Sequence, residues 1–250
     1  MYAALALPLL HVGLVDQARA RLETALARAR RLGQPMAHMV ALWFSSLFEV
    51  RLGNTDRVAT LADTMRAIVE DAALAQGYGP SRWYRGWAEA RLGASLEGYR
   101  SIRHAFEHNA RLGMYCGGPE VLGYATEALV LAGDWDAAQQ QFDEAMKLAE
   151  RLAERAYLPQ LLMLRARIAL AKEDLGAARE ATYAALHEAH DQKAPWLELA
   201  ALVALCELDP PMPEDFDALQ EACARLSEGS DTSLVIKARE LLGGSTGCTR

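Results

Sequence analysis

Two short clusters in this chain carry side chains able to hold a metal or move a proton. His104-Ala105-Phe106-Glu107-His108 has the H-x-x-E-H spacing, in which histidines one helical turn apart bind zinc and a glutamate activates water. His187 and His190, with Glu188 and Asp191, form a similar group. No third ligand can be assigned to either. Ala105 falls in a small packing slot of a repeat, so the pentapeptide reads as ordinary helix surface. A zinc hydrolase at His104, Glu107 and His108 is therefore only an alternative, and the expectation is no metal, no cofactor and no enzyme. Cys116, Cys206, Cys223 and Cys248 lack paired spacing and read as thiols in a reducing cytosol. There is no phosphate-cradling Walker sequence, dinucleotide glycine fingerprint or G-x-S-x-G nucleophile elbow.

The elements that must position such residues are helical. In the stretch 129–145 an apolar run ends at Gly133, Asp134 can cap the next helix, and Ala138, Phe142 and Ala145 share one face. This is the turn of a helix hairpin. Equal steps backwards from Gly133 reach Gly93, Gly53 and Gly13, and the same step forwards reaches Glu173. Five positions past each turn stand Ala18, Val58, Gly98, Ala138 and Ala178. A bulkier slot reads Leu22, Ala62, Ile102, Phe142 and Thr182, and a second small slot Ala25, Met65, Ala105, Ala145 and Ala185. A fixed period of this size signals stacked supersecondary units.

Glycine, five positions on alanine, four on a bulky residue and three on alanine resembles the tetratricopeptide repeat. That family's unit has about 34 residues, so each unit here is longer by about six. The phrases 82–93 and 162–171 are similar to the C-terminal helical arrays of large bacterial signalling proteins. There an adenylate-cyclase, kinase or DNA-binding domain and a nucleotide-switch ATPase precede the array. The resemblance implies an all-α, right-handed superhelix of about six hairpins that binds a protein or peptide segment, such as an upstream cyclase, ATPase or DNA-binding domain of the same chain. Glu173 in a glycine position and Gly98 in an alanine slot depart from the pattern.

Composition agrees with a globular helical protein: 52% hydrophobic, 24% charged, with few β-branched residues. A net charge of −7 argues against direct nucleic-acid or anionic-membrane binding, which needs a basic face. Apolar runs such as 3–10 are too short to span a bilayer, and no secretory leader is apparent, which points to the cytoplasm.

Along the chain, residues 1–12 read as a short apolar helix with a bare outer face, so the chain is expected to continue upstream or pack on a partner there. Helices are predicted over 16–32, 36–52, 55–75, 81–92, 96–112, 120–132, 135–153, 157–171, 175–191 and 196–208, with loops at 76–80 and 114–119. The repeat array thus covers 1–208. Residues 209–213 break the register, 214–226 and 233–242 read as capping helices, and 243–250 as a disordered tail.

In the tetratricopeptide architecture the first helix of each pair lines a concave groove, so the resemblance nominates binding positions. The slot ten positions before each turn reads Trp43, Trp83, Gly123 and Met163; six before, Leu47, Trp87, Glu127 and Arg167; two before, Arg51, Arg91, Leu131 and Ala171. Trp43, Leu47, Arg51, Trp83, Trp87, Arg91, Glu127 and Arg167 would form an aromatic and cationic stripe suited to a peptide with acidic groups. The competing reading makes the tryptophans inter-repeat core and the arginines helix-end caps, because Arg31-Leu32-Gly33 and Arg111-Leu112-Gly113 repeat the phrase outside the groove. A small-molecule effector held inside the superhelix is the alternative function.

Overall fold

The computed structural model describes residues 3–243. Among these residues there are thirteen α-helices and no strand, with short 3-10 turns at Ala3–Leu5 and Ala75–Gly77. Five hairpins follow one another: α1 (Ala6–His11) with α2 (Val15–Leu32), α3 (Pro35–Leu52) with α4 (Thr55–Asp71), α5 (Tyr78–Arg91) with α6 (Ser95–Arg111), α7 (Gly118–Ala132) with α8 (Trp135–Leu152), and α9 (Leu158–Ala171) with α10 (Leu175–Asp191). Then come α11 (Pro195–Cys206), α12 (Pro213–Arg225) and α13 (Ser233–Leu241). No helix among the described residues is long and apolar enough to cross a membrane.

The backbone repeats at half the period seen in the residue types. Gly13, Gly33, Gly53, Ala73, Gly93, Gly113, Gly133, Ala153, Glu173 and Lys193 all have positive φ, at an even spacing that puts one in every link from α1 to α11. A left-handed residue closes a helix, and glycine adopts it at least cost. Asp134 and Asp174 then cap the following helices, accepting from the backbone N–H of Ala137 and Ala177.

The small slots are where the two helices of a pair cross. Ala18, Val58, Ala138 and Ala178 are fully buried, as are Ala105, Ala145 and Ala185. The departure at Gly98 has a packing reason. A Cβ there would lie 2.3 Å from the Gly86 carbonyl oxygen, and one on Gly86 would lie 2.7 Å from the Gly98 oxygen. Helices α5 and α6 therefore approach backbone to backbone.

Two loop expectations need correction. Helix α4 ends at Asp71 rather than 75, closed by left-handed Ala73. Residues 78–80, expected in a loop, form the first turn of α5, where a proline costs no hydrogen bond. Gly79 is there for space: a Cβ would meet Asn109 at 2.4 Å and the Trp83 ring at 2.6 Å. Of the tail expected from Gly243, residues 244–250 lie outside the described residues.

The first helices pack in sequence, α1 on α3, α5, α7, α9 and α11, and α11 returns to touch α1. The edge of α1 that the sequence leaves bare is thus covered by the same chain. Leu226 presses on Gly13 and Gly229 on Val15, each closer than a Cβ would allow. Glu228 caps α2, accepting from the backbone N–H of Asp16 at 2.8 Å and of Gln17 at 3.1 Å. Ser233 Oγ donates to the Leu52 carbonyl, which brings α13 to the end of α3.

Candidate functional site

Closure of the first helices leaves a shared interior with two polar groups in it. The deeper one centres on Arg51, at the C-terminal end of α3, whose side chain is only 7% exposed. Its Nη2 meets Glu120 Oε1 of α7 at 2.8 Å, and its guanidinium lies 4.7 Å over the Tyr157 ring. With the Gln160 amide assigned so that its oxygen faces Arg51, that oxygen accepts from Nη1 at 2.6 Å. Tyr124 donates to Glu120 Oε1 at 2.7 Å. Tyr84, Tyr124 and Tyr157 follow one another with ring centres 6.0 and 5.9 Å apart. Gly123 makes this possible, since a Cβ would lie 2.3 Å from the Tyr157 ring.

The electrostatics of this group follow from burial. Desolvation opposes the Arg51 charge, but Glu120 and the surrounding phenols outweigh it, and the guanidinium titrates above its usual value. Burial first, and the Glu120 carboxylate second, push the Tyr84 and Tyr124 hydroxyls far up, so both remain donors. His11 of α1 faces the same centre. Burial, then the Arg51 charge, lowers its pKa to about 4 and keeps it neutral.

The second group lies on a cavity wall. Glu127 of α7 accepts from Trp87 Nε1 at 2.8 Å through Oε2 and from Arg91 Nη1 at 2.7 Å through Oε1. Arg167 Nη1 of α9 stands 3.7 Å from the same Oε1. Arg91 also donates from Nε to Thr55 Oγ1 at 3.1 Å and lies 4.9 Å from the Trp87 ring centre. Trp87, Glu127 and Arg167 meet because they hold one repeat slot on three successive first helices.

The cavity has a volume of about 800 Å³. Arg51, Trp87, Arg91, Glu127 and Arg167 line it, together with Tyr157, Met163 and Trp196. Helix α13 supplies a further wall through Leu234, Ile236, Lys237 and Glu240. Five of the eight nominated groove residues therefore share one space. The other three are placed elsewhere: Leu47 and Trp83 are buried between helices, and Trp43 is half-buried against Phe44 and Trp83. At α3 and α5 these positions face neighbouring helices, whereas Trp87, Glu127 and Arg167 of the Leu47 slot and Met163 of the tryptophan slot reach the cavity.

Sequence reasoning missed Glu120, Tyr124, Tyr157, Trp196 and all of α13. The slot nine positions before each turn reads Phe44, Tyr84, Tyr124 and Leu164, a periodic aromatic signal that points to two of the three tyrosines. Glu120 shares a slot with Gln160, and nothing periodic marks Trp196.

The histidine clusters stay at the surface of the second helices. Glu107 pairs with Arg103 at 3.2 Å, while the His108 and His104 rings lie 4.4 and 6.5 Å from Tyr78. His187 pairs with Asp191, and Glu188 binds Arg155 through both oxygens. Among the described residues, no three His, Cys, Asp or Glu side chains converge to hold a metal. Cys206 is buried, and its thiol is pushed up to about 11 by desolvation and then by Asp215 and Glu207.

Compared with known proteins, the chain matches no family model and no curated protein, so what the cavity binds is argued from its walls.

Proposed function

We propose that this protein is a non-catalytic, tetratricopeptide-like regulatory module that holds a small-molecule effector in the space between its first helices. The observation that carries this is the cavity itself: about 800 Å³, walled by aromatic and aliphatic side chains, with a few charged groups at fixed positions. Ligand sites have that size and make-up. The cavity draws its walls from α3, α5, α7, α9, α11 and α13, so an occupant would touch both ends of the chain at once. Binding would favour the closed arrangement by the free energy of those contacts. In signalling proteins of the kind the sequence resembles, a neighbouring cyclase, ATPase or DNA-binding domain would read that change.

A thermal-shift screen against metabolites tests this, paired with Ala200→Trp, which fills the cavity from α11. The expected result is a ligand that raises the melting temperature of the native protein and not of Ala200→Trp, with helical circular dichroism equal in both. If no metabolite stabilises the native protein, or the filled variant responds equally, the effector reading fails.

One observation favours a second reading, a peptide-binding scaffold. Helix α13 shows that the inner face accepts a short amphipathic helix, with Val235 and Ala238 buried and Ile236 turned to the cavity. A partner segment would then replace α13. Removing residues 231–250 and adding a synthetic 231–243 peptide in trans tests this; no binding by a truncated protein that keeps its helicity rules it out.

A further inference from the structure

We infer that the ligand of the central cavity is an organic acid with an apolar body, its acid group held between Arg91 and Arg167. This deepens, and rests on, the effector reading. Three observations lead to it.

The first is a local charge imbalance. Arg91 and Arg167 stand 2.7 and 3.7 Å from one Glu127 oxygen, so two guanidiniums share a single carboxylate. The Trp87 N–H bonds the other oxygen, and Arg167 at 3.7 Å is outside hydrogen-bond distance of Glu127. Arg167 is 42% exposed and makes no closer ion pair, so most of its five donors are open. A carboxylate or phosphonate offers the bidentate geometry that guanidinium binds best.

The second is that the other cations of the wall are already matched. Arg51 is bound to Glu120, and Lys237 meets Glu207 at 3.0 Å with Glu240 beside it. On the α13 wall Lys237 and Glu240 offset one another, so the unbalanced positive charge of the cavity lies at Arg91 and Arg167. The protein carries a net charge of −7, so this imbalance runs against the charge of the whole molecule.

The third is the apolar remainder. Met163, Trp196, Val203, Leu234 and Ile236 line the cavity, and Ile236 is 45% exposed. An inorganic anion would leave this surface wet. An alkyl or aryl body would cover it, at roughly 25 cal/mol for each Å² removed from water.

The test uses 1-anilinonaphthalene-8-sulfonate as a fluorescent probe on the full chain, displaced by decanoate, decanol or decylammonium below their micellar concentrations. Decanoate should displace the probe at a concentration at least tenfold lower than decanol, and decylammonium least well. In Arg167→Gln the tenfold preference should vanish while decanol competes as before; Arg167→Lys should keep part of it. Far-ultraviolet circular dichroism checks that both variants fold. Equal competition by decanoate and decanol overturns the acid assignment while leaving a small-molecule cavity in place. If Arg167→Gln keeps the decanoate preference, the assigned anchor is wrong. Displacement by none of the three, with Ala200→Trp also leaving probe binding unchanged, overturns both the acid assignment and the effector reading.

Discussion

The array of hairpins and the segment that closes it are held together by different forces. From α1 to α11 the helices pack through small apolar slots, and each unit touches its neighbours over faces of alanine, leucine and aromatic side chains. The closing segment after Cys206 buries a smaller apolar set, Leu208, Leu219, Ala222, Cys223, Val235 and Ala238, and adds a larger share of polar contacts. It is tied by polar contacts: Tyr183 to Asp215 at 2.8 Å, Arg225 to Glu198 at 2.8 Å, Glu228 to the start of α2, and Arg19 to Asp231 at 3.3 Å. Apolar packing is sensitive to a single added or removed methyl, whereas the exposed tie between Arg19 and Asp231 contributes little and responds to salt; Asp215 and Glu198 are buried. The expected contrast is a more rigid stack and a closing segment that opens first.

The largest expected effect lies inside the array, at the buried group that joins α3, α7 and α9. Arg51→Met strips the partner from Glu120 in a buried site and should destabilise the protein by about 3–5 kcal/mol, read by chemical denaturation. Adding Glu120→Gln should restore much of the loss. A single variant as stable as the native chain would show that Arg51 is not a keystone.

Within the array, Gly98→Ala forces a methyl against the Gly86 carbonyl and should cost about 1–3 kcal/mol. The cavity walls are untouched, so probe binding should persist in the folded fraction. A neutral effect would mean that α5 and α6 can separate freely, and the array would not be the rigid part.

Acid should weaken the array through His11 of α1, which faces Arg51. His11 titrates at about 4 when folded against an ordinary 6.5. The unfolded chain binds the extra proton between these values, so stability is full above about pH 6.5 and falls as pH drops toward 4, by on the order of 3 kcal/mol. His11→Gln should flatten that window in a melting-temperature series. The Glu228 carboxyl adds a loss at still lower pH, because the Gln17 and Asp16 donors outweigh burial and hold it below its usual range.

The smallest effect belongs to the closing segment. Glu228→Ala removes an N-terminal cap and should cost about 1 kcal/mol. Hydrogen exchange should rise in α13 and the start of α2, with α5 to α8 unchanged. Uniform change along the chain would erase the proposed contrast.

Much of the fold is legible in residue types because the repeat is local. Gly13, Gly53, Gly93 and Gly133 announce their turns, and the slots of Ala18 and Ala138 announce the faces. Ala73, Ala153 and Lys193 take the same left-handed backbone without glycine, which hides the turns between hairpins from a reading of residue types. The cavity is half legible. Trp87, Glu127 and Arg167 share a slot and so share a neighbourhood, which periodicity can express. Glu120 and Gln160 share a slot and both bind Arg51, whereas Trp196 and Lys237 reach the interior without such a counterpart.

The sequence by itself determined that this is an all-α chain of stacked hairpins, since helix ends, small slots and apolar faces are set within a single repeat unit. Only the tertiary structure decided that the stack closes on itself. Closure depends on contacts such as Glu228 with α2 and α11 with α1, which join opposite ends of the chain and are specified by no local pattern. That closure turns a concave face into a cavity, and with it changes what the face can bind.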